Sequence, residues 1–203
     1  MKSIYSNVKE LQKTSVKDKI NERLNELVKN RKTEDKVFSE LCFCLTTANF
    51  QAKKCWELQN KYEKFYLSGT EEELKNILKS QGHRFWEQRA QRIVLARKNK
   101  KELFKKTNED NIRDWIVEKF KGIGMKEASH FLRDIGNFDY AIIDFHIIDL
   151  LVNEKIIERP KSITKKKYLE IENKLKTIAN KLNMSLGELD FYLWFLETGT
   201  ILK

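Results

Sequence analysis

Apolar residues recur along this chain at helical spacing. Ile20, Leu24, Leu27 and Val28 step i, i+4, i+7, i+8, and Val37, Leu41, Cys44, Leu45 and Ala48 continue the pattern in the next segment. Tyr168, Ile171, Leu175, Ile178 and Leu182 form a third stripe, and Leu186, Leu189, Leu193 and Leu196 a last one. Such stripes predict amphipathic helices that face a common core. About ten helices are expected, over 16–31, 34–48, 50–65, 71–79, 84–105, 110–119, 125–135, 145–153, 164–182 and 185–197, so the fold class is all-α. Thr33 and Ser185 are expected N-caps, and Pro160 is expected in a loop between two helices. Glycine and proline together make up 8 of 203 residues. That is well below the roughly 12% average, and too little punctuation for a strand-and-turn architecture. No internal repeat or low-complexity tract is present, and Lys165-Lys166-Lys167 reads as a solvated helix start.

Composition narrows the class. A 40% hydrophobic and 11% aromatic content excludes a disordered chain. No apolar run approaches the roughly 18–20 residues that span a bilayer, so no membrane partner is expected. The Met1-Lys2-Ser3-Ile4-Tyr5 start has no apolar h-region, so no secretory signal is expected. Cys42, Cys44 and Cys55 are an odd set in one stretch, without the second pair of ligands that zinc needs. They fit a reduced, cytoplasmic setting. The net charge of +10 points to an anionic partner, most commonly nucleic acid. A Lys- and Glu-rich surface of a heat-adapted protein explains the charge equally well, so the chemistry must decide.

The deciding segment is 115–136. A helix is expected to end near Lys119, followed by Phe120-Lys121-Gly122-Ile123-Gly124 and a second helix with Ala128, Phe131, Leu132 and Ile135 on its apolar face. Two glycines around one apolar residue permit a very tight turn. They also leave backbone N–H groups bare at the start of the second helix, where phosphate binds. An ordinary αα-turn with glycine caps is the plainer alternative. Lys126 follows two residues after Gly124. There the helix dipole and partial burial disfavour the ammonium form and leave a nucleophilic amine. Asp144 follows 18 residues later inside Ala141-Ile142-Ile143-Asp144-Phe145-His146-Ile147-Ile148, placed as an N-cap that stays ionised.

This arrangement resembles the helix-hairpin-helix DNA glycosylase superfamily, whose hairpin ends Gly-x-Gly-x-Lys and is followed by apolar-Asp-x-His. The resemblance covers roughly residues 34–153. It implies two helical subdomains with the DNA cleft and active site between them. The central one would be 34–135, with the hairpin at about 111–135, and the other would combine 1–33 with 136–203. It implies a Schiff-base lysine at Lys126, an assisting carboxylate at Asp144, and His146 near a DNA phosphate beside the Gly122 and Gly124 contacts. It further implies a monovalent cation on the backbone carbonyls of Glu118, Phe120 and Ile123, with no cofactor in the reaction.

The sequence has no cysteine after Cys55, which excludes the four-cysteine iron–sulfur cluster of the endonuclease III relatives. It is most similar to the compact, archaeal-type 8-oxoguanine glycosylase/AP lyases. The Gly82-His83-Arg84-Phe85 segment and the Trp194–Lys203 ending look like that class, with structural roles favoured for Arg84 and Phe85. Asn49 is then the expected wedge into the gap left by the flipped base, with Gln51 as a second candidate. Trp194 either stacks on the extruded base or joins the leucine stripe, and Lys203 at the chain end recognises the base. The expected activity is excision of 8-oxoguanine from duplex DNA and nicking of the abasic site, by a monomer. The alternatives are a glycosylase/AP lyase for other oxidised bases and a non-catalytic hairpin module.

Overall fold

The computed structural model describes residues 3–48 and 50–201, and all regular structure among them is helical. Twelve α-helices follow in order: α1 (Ile4–Leu11), α2 (Ser15–Lys29), α3 (Glu34–Thr47), α4 (Ala52–Ser68), α5 (Glu71–Ser80), α6 (Trp86–Ala96), α7 (Lys100–Lys106), α8 (Ile112–Lys119), α9 (Met125–Asp134), α10 (Phe145–Asn153), α11 (Lys165–Leu182) and α12 (Leu186–Thr198). Both expected caps are present. The Thr33 hydroxyl accepts from the Lys36 N–H at 3.2 Å, and the Ser185 hydroxyl from the Glu188 N–H at 3.1 Å.

The helix expectations are corrected in three places. Helix α1 was not anticipated, although Ser3 caps it and Ile4 and Val8 are buried one turn apart. The expected helix over 84–105 is two helices separated by a 3-10 turn at Arg97–Asn99. Arg97 donates there to the carbonyls of Tyr66, Phe65 and Gly69 at 2.6–2.9 Å, so it serves the end of α4 at the expense of a longer helix. Val28 is 50% exposed and does not join the core with Ile20 and Leu27.

Buried hydrophobics fall into two clusters. One gathers residues of α3 to α9, around an α3 whose residues Val37 to Thr47 are all buried. The other gathers α1, α2 and α10 to α12. Val28 lies against Gly136, just past the end of α9. A Cβ on Gly136 would sit 2.8 Å from the Val28 Cα, and its φ of +80° favours glycine as well. None of the described helices is long and apolar enough to cross a membrane.

Candidate active site

The hairpin is built from α8, a four-residue turn and α9. Phe120 leaves the helix with φ −108° and ψ 104°, and the Ile123 N–H closes the turn on the Phe120 carbonyl at 3.1 Å. Phe120 and Ile123 are buried anchors, with Lys121 and Gly122 exposed between them and Gly124 exposed just after. Gly122 has a φ of +93°, and a Cβ there would lie 2.4 Å from Arg92 Nη1. Gly124 is the N-cap of α9 and supplies no side chain to the first turn, so its N–H donors face outward for an anion. Ala128 is fully buried where α9 meets its neighbours.

Lys126 is the second residue of α9 and half-buried. Its Nζ lies 3.6 Å from Glu127 Oε1, which orients the amine. Asp144 caps α10, its carboxylate accepting the Ile147 N–H at 3.0 Å. The 18-residue interval between them is bridged in space. Both side chains line one cleft of about 920 Å³, walled on one side by Thr47, Ala48 and residues 50–53 and on the other by α10 and α12. Gln51, His146 and Trp194 line it too, as does Arg84, for which a structural role was expected. Asn49 and Lys203 lie outside the described residues. Short of Lys203 the chain does turn back: Gly199 caps α12 with φ +67°, and Ile201 packs on the second core.

The wall is pinned from behind at Thr46, Ala48 and Phe50. His83 Nε2 donates to the Thr46 carbonyl at 2.8 Å, Arg89 donates to the Ala48 carbonyl at 2.9 Å, and Phe50 stacks on His83 at 4.4 Å. Gln51 begins α4 without capping it, which leaves its side chain free towards the cleft. Opposite, an aromatic run leads inward. Phe145 lies against His146 at 3.9 Å, and His146 meets Trp194 edge-on at 5.9 Å. The Trp194 indole N–H is buried with no hydrogen-bond partner among the described residues.

Several lining residues escape a reading of the sequence. Phe145 is 66% exposed at the cleft, and its position off the Ile147, Ile148, Leu151 stripe was the available signal. Asp190, on α12, pairs with the buried Arg133 of α9. Burial pushes the Asp190 carboxyl up to about 6 against the pull of Arg133, and Asp144 and Asp134 push the same way. No local pattern could have joined these residues, because α9 and α12 meet only in the fold.

A helical hairpin with bare glycine N–H donors, beside a cleft lined by the Lys126 amine and the capping carboxylate of Asp144, defines a helix-hairpin-helix protein with glycosylase-type chemistry. A sequence profile described as 8-oxoguanine DNA glycosylase matches residues 20–184. The chain is 45% identical to the 8-oxoguanine DNA glycosylase/AP lyase of Methanocaldococcus jannaschii, over 98% of this chain and 99% of that one. Its fold is similar to the crystal structure of that organism's enzyme bound to a 15mer DNA containing 8-oxoguanine. The TM-score is 0.93 at 43% identity, with 98% and 99% of the two chains covered. The 8-oxoguanine DNA glycosylase of Thermotoga maritima superposes with a TM-score of 0.93 at 35% identity, covering 98% of each chain. The chain therefore belongs to the 8-oxoguanine DNA glycosylase family. The likeness extends well beyond the 34–153 segment that the motifs mark.

Proposed function

We propose that this protein excises 8-oxoguanine from double-stranded DNA and then nicks the abasic site through a Schiff base on Lys126. The observation that carries the reading is the convergence of Lys126, from the first turn of α9, and Asp144, from the cap of α10, on one cleft beside Trp194. The hairpin N–H groups and the basic cleft residues Lys53 and Arg84 hold the phosphate backbone. The damaged nucleotide leaves the stack at a cost of a few kcal/mol. Asn49 fills the gap, with Gln51, which lines the cleft, as the second candidate, and Trp194 stacks on the extruded base. Lys203 contributes to base recognition.

The Lys126 amine attacks C1′ while the C1′–N9 bond breaks and the base takes up a proton. Asp144 stabilises the positive charge that develops on the sugar and accepts the proton the amine loses. The ring opens to a Schiff base between Lys126 and C1′. Loss of a C2′ proton then expels the 3′ phosphate by β-elimination and nicks the strand. A monovalent cation would suit the hairpin carbonyls of Glu118, Phe120 and Ile123, because the Phe120 oxygen accepts one N–H in the turn and keeps a lone pair. No step passes through it, and the protein acts as a monomer.

Borohydride reduction of the Schiff base tests this reading. Wild-type protein should form a covalent adduct with 8-oxoguanine duplexes, and Lys126→Gln should form none while still binding the same DNA. A panel of single-lesion duplexes ranks 8-oxoguanine against oxidised pyrimidines. Full trapping by Lys126→Gln would remove Lys126 as the nucleophile, and absence of trapping by wild type would leave a binding module.

A further inference from the structure

Lys126 and Asp144 sit on elements whose buried residues belong to different hydrophobic clusters, those of α9 in the first and those of α10 in the second, with Met125 at the start of α9 packed against the second. The residues between them, 137–143, carry no helix that would fix their spacing. Their backbone is held from outside, by two side chains one turn apart on α11. Glu172 Oε1 accepts the Ala141 N–H at 2.9 Å. The Tyr168 hydroxyl donates to the Ala141 carbonyl at 2.7 Å and accepts the Ile143 N–H at 3.3 Å. Asp144 is the next residue.

The same two side chains reach the hairpin. Arg113, on α8, grips Glu172 with two bonds of 2.5 and 2.8 Å, and its Nη1 also lies 3.2 Å from the Ser129 hydroxyl. The Tyr168 hydroxyl lies 3.3 Å from that hydroxyl as well. Ser129 is three residues after Lys126 on α9 and donates to the Met125 carbonyl at 2.9 Å, at the base of the turn that carries the lysine. Arg113 also packs over the Tyr140 ring at 4.5 Å. Arg113, Tyr168 and Glu172 are all at most 8% exposed. Hydrogen bonds are stiff in such surroundings. A buried ion pair is weak evidence of stability, and fixing register is its best-attested use.

We propose that Glu172, Tyr168 and Arg113 are positioning residues that hold the Asp144 carboxylate in reach of Lys126. This rests on the function proposed above. Misplacing a reacting group by about 1 Å costs roughly a hundredfold in rate, whereas this set meets the hairpin on its buried side, at Ser129, and not at the exposed Gly122 and Gly124 that face DNA.

The test uses Tyr168→Phe, which removes one oxygen and keeps the ring in the core, together with Glu172→Gln. Each is made alone and in an Asp144→Asn background. Single-turnover excision of 8-oxoguanine should fall roughly ten- to a hundredfold in the single variants. Affinity for a duplex carrying a non-cleavable abasic analogue should stay within about twofold of wild type, as should the helical signal. In the Asp144→Asn background either change should cost no more than about twofold further, because residues that act through one group are not additive. Wild-type excision rates in both variants would overturn the proposal. So would the same full loss with and without Asp144, which marks a general structural role. A wild-type protein that excises no lesion would instead sink the functional reading on which the proposal stands.

Discussion

The His146 imidazole stands edge-on to the Trp194 indole, with ring centroids 5.9 Å apart and planes at 87°. The contact joins the first turn of α10 to the last turns of α12 and sets the indole in the cleft. Stacking of an aromatic side chain on an unstacked base is worth about 1–3 kcal/mol. Trp194→Ala should therefore slow 8-oxoguanine excision by roughly five- to a hundredfold. Cleavage of a pre-formed abasic site should change far less, since that substrate has no base to stack. Equal losses on the two substrates, measured side by side, would assign the indole to the core alone.

Asp144→Asn separates charge from capping. Asparagine still accepts the Ile147 N–H, so thermal stability should move by only a few tenths of a kcal/mol. The negative charge facing the developing cation is gone, and excision should drop by roughly a hundredfold or more. Near-wild-type turnover by the folded variant would contradict the assigned role.

The two hairpin glycines should fail differently. Gly122→Ala places a side chain at φ +93° and 2.4 Å from Arg92 Nη1. It should cost about 1–3 kcal/mol of stability in urea unfolding. At Gly124 a Cβ would meet only Glu127 Oε2, at an ordinary 3.4 Å. Gly124→Val should therefore keep the fold and weaken binding to all duplexes alike, with or without a lesion. Binding by wild type should itself weaken steeply with salt as phosphate contacts release counterions. A salt-independent affinity, or a Gly124→Val protein that binds like wild type, would count against the hairpin as the phosphate site.

Burial lowers the His83 pKa below its ordinary 6.5, with Arg89 adding to the effect and the bond to the Thr46 carbonyl opposing it. Burial keeps the ring neutral, with Nδ1 accepting the Phe85 N–H while Nε2 donates to the Thr46 carbonyl. Below about pH 6.5 the unfolded chain takes up a proton that the folded protein refuses, so stability should fall as the pH drops. In urea titrations between pH 5 and 8, His83→Gln should show a flatter dependence than wild type. Parallel curves for the two proteins would show that His83 does not set it.

Much of the site is local in origin and can be read along the chain. Gly122-Ile123-Gly124-Met125-Lys126 specifies a turn, a bare helix start and an amine within five residues, and Asp144 before Phe145-His146-Ile147 specifies a cap. Helical stripes and caps depend on neighbours three or four residues apart, so twelve helices came close to the ten expected among the described residues. The misses have two causes. Arg97 stops a helix because its partners are the carbonyls of Phe65, Tyr66 and Gly69, and α1 is too short for a strong stripe.

The sequence by itself determined most of the helices, the hairpin and the places of Lys126 and Asp144 at two helix starts, since each follows from backbone propensity and side-chain chemistry over a few residues. Only the tertiary structure decided that Lys126 and Asp144 share a cleft with Trp194, that Asp190 lies against Arg133, and that Glu172 grips Arg113 from 59 residues away. Those pairings arise from how helices pack around two cores. Packing depends on shape and burial summed over the whole chain, and no local spacing carries that information.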